Sequence, residues 1–160
     1  MLRVYLETSF ISACVTNRTD AASTYRRETS LEWWSTQRHR HTLLVSDEVV
    51  AELSDPLNPQ RSFALEFITR IESLRVTQEV IGLARVLVDQ KVMPGPLKGD
   101  AVHVAAAAFH RMDYMLSWNV KHLANPKKTQ HLGNICMRVG LVPPRIVTPD
   151  LLWEVDDEPS

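Results

Sequence analysis

Leu2 to Leu6 is apolar, β-branched or aromatic, interrupted only by Arg3, and reads as a buried strand. Glu7 follows directly, then Thr8 and Ser9, either of which can cap a helix running to about residues 15–17. Residues 19–37 read as a second helix, with Tyr25, Leu31 and Trp34 as its apolar positions. Thr42 to Val45 is the next strand, and Ser46 is a good N-cap for a helix over Asp47 to Leu53. On that helix Val49, Val50 and Leu53 form the inward stripe. At about 100° per residue, Glu52 lies on the edge of the stripe and Glu48 is assigned to the outer surface.

The pattern continues with an amphipathic helix over Gln60 to Ile71, a short strand over Leu74 to Thr77, and a helix over Gln78 to Val92. Residues 93–99 form a loop rich in Pro and Gly. Asp100 opens a helix to Phe109 that is apolar nearly all round and built of small residues, so it is buried and closely packed. Tyr114 to Ser117 is a strand with Trp118 and Asn119 at its carboxyl end. Residues 121–124 and 127–139 read as helical, Arg145 to Val147 as the last strand, and Thr148 as the cap of a short helix over Pro149 to Trp153. Alternating strands and helices predict an α/β fold with a central parallel sheet flanked by helices. No internal repeat or linker divides the 160 residues, so one domain is expected, with an acidic tail from about residue 154 frayed.

Composition changes this picture little. The chain is 44% hydrophobic and 23% charged with a net charge of −1, which excludes a globally basic nucleic-acid binder but not a local basic face. Cys14 and Cys136 lack metal-ligand spacing and are expected as free thiols. No apolar run nears about 18 residues, so no membrane span is expected, and the chain is read as cytoplasmic. The basic run Arg38 to His41 has two readings, a solvated loop or a phosphate-contacting one.

Chemistry concentrates in three carboxylates. Glu7, Glu52 and Asp100 each fall at a strand end or on a helix that would flank the sheet's carboxyl edge, and in α/β sheets that edge is where ligands bind. At the start of a buried helix, Asp100 is expected to stay ionised through the helix dipole and free N–H groups. His103, one turn on, has two readings: a hydrogen bond to that carboxylate, or a satisfied core histidine. Three converging carboxylates repel unless a cation joins them, and all-oxygen ligands point to Mg²⁺ or Mn²⁺. Asn119 could add a neutral oxygen or a hydrogen bond to bound water.

Leu6-Glu-Thr-Ser9, Ser46 followed by Glu52, Gly99-Asp-Ala-Val-His-Val-Ala105 and Leu116-Ser-Trp-Asn-Val-Lys-His-Leu123 resemble the PIN domain, over roughly residues 2–150. That family includes the VapC-type toxin ribonucleases of toxin–antitoxin pairs. The resemblance implies a three-layer sandwich, an acidic pocket holding Mg²⁺ or Mn²⁺, an RNA substrate, a small antitoxin partner and a homodimer. It places the family acids on Glu7, Glu52 and Asp100 and the fourth position on Asn119, with Thr8, Ser9 and Ser117 as supporting hydroxyls. Two departures stand out: Glu7 and Asn119 occupy positions where the family usually has Asp.

Residues 120–149 contain no Asp or Glu. Lys121, His122, Lys127 and Lys128 are the candidate RNA contacts there, against the reading of a merely solvated face. Three functions follow: a metal-dependent endoribonuclease, a catalytically weak RNA- or protein-binding module, or a phosphohydrolase. The last normally uses Asp as nucleophile, which Glu7 disfavours.

Overall fold

The computed structural model describes residues 1–155. Its centre is a five-stranded parallel sheet in the order β3-β2-β1-β4-β5. The strands are β1 (Leu2–Leu6), β2 (His41–Ser46), β3 (Glu72–Leu74), β4 (Tyr114–Leu116) and β5 (Arg145–Val147). The helices are α1 (Thr8–Val15), α2 (Ala21–Gln37), α3 (Asp47–Leu53), α4 (Arg61–Phe67), α5 (Gln78–Asp89), α6 (Asp100–Phe109) and α7 (Pro126–Arg138). Short 3₁₀ turns occupy Arg38–Arg40 and Pro149–Leu151.

The order reverses between β1 and β4. The chain steps outward from β1 through β2 to β3, then crosses back to β4 and on to β5. Right-handed crossovers therefore put α1–α4 on one face and α5–α7 on the other. The contacts agree: α1 meets α2 and α4, α3 meets α4, and α5 lies along α6. The crevice outside β1 and β4 is the place where such sheets bind ligands.

The core is one continuous cluster. Val4, Tyr5 and Leu6 of β1, Leu44 of β2 and Met115 and Leu116 of β4 are fully buried in the sheet. All of Ala101 to Ala108 is buried, and seven of these eight are Val or Ala that let α6 sit close to α5. Cys14 and Cys136 are free and buried.

Several predicted elements moved, each for a local reason. The strand expected over Leu74 to Thr77 lies earlier, because Thr77 caps α5 by accepting the Val80 N–H (3.4 Å). The buried face of α2 is Ser30, Trp33 and Gln37, not Tyr25 and Leu31, which are 55% and 39% exposed. Trp33 donates to the Leu152 carbonyl (2.7 Å), so the C-terminal segment fixes which face of α2 turns inward. The helix expected to Ile71 stops at Phe67, and α5 stops at Asp89. Residues 121–124 form a turn on Asn119, whose carbonyl accepts from Leu123 and Ala124 (both 3.0 Å). Thr148 makes no capping hydrogen bond to the turn that follows. Glu154, expected in a frayed tail, exchanges hydrogen bonds with Gln37: its N–H donates to Oε1 (2.9 Å) and its carbonyl accepts from Nε2 (3.3 Å). The acids at 156–158 lie outside the described residues.

Candidate active site

Glu7 is the last residue before α1, and it caps that helix itself. Its carboxylate accepts the Ser9 N–H (2.5 Å), a role the sequence had assigned to Thr8 or Ser9. The same carboxylate accepts from the Ser9 hydroxyl (2.9 Å) and the Ser117 hydroxyl (2.8 Å), which reaches over from the end of β4. Glu7 is 4% exposed, and burial raises its pKa despite the opposing His103 charge and these hydrogen bonds.

Glu52 projects from α3 into a different set of contacts. It accepts from the Thr8 hydroxyl (2.6 Å) and bonds His103 Nε2. Burial pushes its pKa up, but the His103 hydrogen bond and charge and the Thr8 hydroxyl outweigh it, so the net direction is down. Asp100, first residue of α6, accepts from the Asn119 amide (3.1 Å). Its pKa is raised, chiefly by burial, with the Glu52 charge adding to the rise against His103 and His122. The ionisation expected from the helix start is thus opposed by partial burial and by the Glu52 charge.

His103 stands among these acids. Nδ1 meets the Tyr5 hydroxyl (2.6 Å), which in turn meets Ser46 (2.7 Å), while Nε2 meets Glu52. Burial depresses its pKa, but the Glu52 hydrogen bond and the charges of Glu7, Glu52 and Glu48 prevail and raise it. It bonds Glu52, not the Asp100 carboxylate considered from the sequence. His103 thereby holds Glu52, and its raised pKa favours the charged ring beside these acids.

The structure therefore brings Glu7, Thr8, Ser9, Glu52, Asp100, His103, Ser117 and Asn119 to one sheet edge as three linked clusters. The Asn119 N–H donated to Ser117 Oγ (3.0 Å) links the Asp100 cluster to that of Glu7, and Thr8, next to Glu7 in the chain, links the latter to Glu52 and His103. The Asn119 side-chain oxygen accepts the His122 N–H (3.2 Å), so the neutral oxygen expected to face a ligand is spent on the backbone. His122 is exposed and interacts electrostatically with Asp100. Lys121 and Lys127 are exposed and make no side-chain contact to the acids, and Lys128 donates to the Val92 carbonyl (3.4 Å).

Glu48 was missed. It is half-buried, accepts the Gly99 N–H (2.9 Å), and lines one cleft of about 450 Å³ with Glu52, Asp55 and Asp100. The signal was present: Glu48 and Glu52 stand four apart and share a helix face. Gly99, at φ +67° and ψ −131°, occupies backbone space that other residues avoid. This bend turns Asp100 into the cleft beside Glu52.

Carboxylate oxygens on one cleft suit a hard divalent cation by donor type. Among the described residues, no group of three His, Cys, Asp or Glu side chains stands assembled around one ion position. The reason is visible: Glu7 is turned onto its serines and Glu52 onto His103.

No family model and no curated protein sequence matches the chain. Solved structures do. The chain is similar to VapC20 of Mycobacterium tuberculosis, described as a sarcin–ricin loop cleaving toxin, with TM-score 0.57 and 18% identity over 74% of this chain and 92% of that one. It is similar to VapBC2 of Rickettsia felis, solved bound to a promoter DNA fragment, at TM-score 0.55 and 17% identity, over 75% and 90%. It is also similar to FitAcB of Neisseria gonorrhoeae at TM-score 0.54 and 14% identity, over 93% and 99%. The fold is that of the PIN-domain, VapC-type structures.

Proposed function

We propose that this chain is a metal-dependent endoribonuclease and the toxin of a toxin–antitoxin pair. The observation that carries the reading is the meeting of Glu7, Glu52 and Asp100 around His103, with Asn119 on Asp100, at the switch point of this sheet. The likeness to a toxin described as cleaving the sarcin–ricin loop supports RNA as the substrate class. Likeness to a VapBC structure supports a small antitoxin partner, and the family resemblance supports a homodimer.

Glu7, Glu52 and Asp100 would hold Mg²⁺ or Mn²⁺, with Glu48 on the same cleft as a further oxygen donor. A bound divalent cation supplies an activated water and stabilises the leaving oxygen in phosphodiester hydrolysis. The chain's own residues set the stage. Asn119 donates to Asp100 and fixes its rotamer. Ser9 and Ser117 hold Glu7 at the floor. Tyr5 orients the His103 ring, and His103 and Thr8 hold Glu52 at the rim. His122 brings an exposed imidazole to the Asp100 side, where a phosphate would approach.

A second reading, a catalytically weak RNA- or protein-binding module, is favoured by one observation: Glu7 is buried and its hydrogen-bonding capacity is taken up internally. Incubating labelled RNA with Mg²⁺ or Mn²⁺, with and without EDTA, separates the two. The nuclease reading predicts cleavage that EDTA, Asp100→Asn and Glu52→Gln each abolish. RNA retained but uncut, alike in all three proteins, would establish the binding module instead.

A further inference from the structure

The opposite edge of the sheet, where β2 and β3 begin, carries a cleft that the acidic site does not use. It has a volume of about 740 Å³ and is formed where the carboxyl ends of α2 and α4 approach the start of β2. Its walls combine cations with aromatic rings. Arg38, His39 and Arg70 line it together with Trp34 and Phe67, and Glu66 is the acid among them. Trp34 and Phe67 stand 4.5 Å apart between centroids at a 44° tilt. The Arg38 guanidinium lies 5.3 Å from the Trp34 ring centre, so a flat cation is already stacked on a flat ring. Arg38 spends only its Nε, on His39 Nε2 (3.2 Å), and among the described residues neither Arg38 nor Arg70 is paired with a carboxylate.

His41 also lines this cleft and makes the second, independent observation. It is 5% exposed, stacked in parallel with Trp33 (centroids 5.8 Å apart, 6° between planes), and neither ring nitrogen has a hydrogen-bond partner. A buried polar ring without partners costs stability, on the order of 1–3 kcal/mol, and such groups are rare enough to ask what they serve. Trp33 stacks on the ring, and both nitrogens stay unsatisfied in a residue that lines the same cleft as the arginines.

We infer that this cleft is a second ligand site, one that takes a nucleotide, with its phosphate against Arg38 and Arg70, its base on the Trp34–Phe67 aromatic surface, and His41 as a hydrogen-bonding partner. The chemistry matches each part. Arginine forks bind phosphate oxygens, and bases stack on aromatic rings and guanidinium planes. The basic run at residues 38–41, which the acidic site leaves unused, supplies two of these groups, Arg38 and His41. A free mononucleotide and a nucleotide within an RNA strand share this chemistry, and the strand form would give the protein a hold on RNA away from the acids.

Binding is the readout, and cleavage is not needed for it. The full chain carrying Asp100→Asn is titrated calorimetrically with 5′-AMP and, separately, with a short single-stranded RNA. Saturable binding of either is expected, weakened about tenfold or more when Arg38→Ala and Arg70→Ala are added, with the RNA salt slope falling by about one to two units. His41→Leu is expected to weaken binding while leaving the protein folded, as read by its thermal transition. AMP binding as well as RNA would identify a free-nucleotide site; RNA alone would identify a strand contact. No saturable binding of either, or binding untouched by Arg38→Ala, Arg70→Ala and His41→Leu, overturns the inference. Tighter binding of polyglutamate than of either nucleotide probe, lost in the arginine variants, overturns it too and identifies an acidic protein segment as the occupant. Absence of metal-dependent RNA cleavage by the wild-type chain, with this binding intact, would sink the nuclease reading alone.

Discussion

The two edges of this sheet handle charge in opposite ways. At the carboxyl edge, four acids surround one buried histidine, and every charged group is met by a hydroxyl, an amide, a backbone N–H or that imidazole. At the amino edge, Arg38 stands over the Trp34 ring, neither it nor Arg70 has a carboxylate partner among the described residues, and a buried histidine has no hydrogen-bond partner at all. An internally compensated site is preorganised but must release partners to take a ligand. An uncompensated one gains its missing contacts when the ligand arrives. The difference teaches that clustered charge marks function less surely than the state of its partners does.

The comparison can be broken most severely at the acids. Asp100→Asn and Glu52→Gln should each lower RNA cleavage by about 100-fold or more without unfolding the chain, read as initial rates beside circular dichroism. Equal rates in all proteins would remove the carboxyl edge from the chemistry. Next in size is the buried pair. His103→Ala removes a fully enclosed partner and leaves Glu52 and Tyr5 facing a hole. Breaking a fully buried pair costs about 3–5 kcal/mol; because Glu52 keeps 37% of its side chain exposed, the expected loss is about 2–3 kcal/mol by urea unfolding. His103→Gln, which can still donate to Glu52, should recover part of it.

Smaller effects follow. Gly99→Ala forces a side chain onto a positive-φ position and should cost about 1–3 kcal/mol of stability, with cleavage falling further because Asp100 shifts with the bend. At the other edge, His41→Leu should do the reverse, raising stability by about 1 kcal/mol by removing an unpartnered polar ring. A site kept polar at the expense of stability is the signature that separates this histidine from His103. A fall in stability for His41→Leu would mean that the ring is satisfied in solution.

The smallest effect is pH. The folded-state pKa of His103 is raised, so its contribution is fully present below the unfolded pKa and is lost as pH rises through the folded value. Glu7 is also raised, and for an acid this too makes stability fall as pH rises above the unfolded value. Glu52 is lowered and acts in the opposite sense, its contribution present above the unfolded pKa and lost as pH falls through the folded one. Wild-type stability should therefore decline on the alkaline side of the ordinary histidine range, and His103→Gln should flatten that decline. An unchanged slope in the variant would place the titration elsewhere.

Much of this was legible in the chain. Strand β1, the Ser46-capped α3 and the all-buried α6 follow from period and cap chemistry, because each is specified within its own residues. Glu7, Glu52, Asp100 and Asn119 were placed at one edge because strand ends and helix starts converge there in a parallel sheet. What was not legible depends on partners distant in sequence. The inward face of α2 is decided by Leu152 and Glu154, more than a hundred residues away. Glu48 was assigned to the surface because the stripe was judged from Val49, whereas its destination is the N–H of Gly99. His103 was legible as a buried group but not as the counter-charge of the acids, since that requires knowing that Tyr5, Glu7 and Glu52 surround it. The basic run at 38–41 was visible as a motif, but its aromatic walls come from α2 and α4, which only the fold brings together.

The most direct test of the acidic site is a calorimetric titration of Mn²⁺ into the wild-type chain and into Asp100→Asn, Glu52→Gln and the Arg38→Ala/Arg70→Ala pair. The account predicts saturable binding to the wild type and to the arginine pair, with binding lost or weakened by more than about tenfold in both acid variants. Equal Mn²⁺ binding by Asp100→Asn and the wild type, or no saturable binding to the wild type, would contradict it.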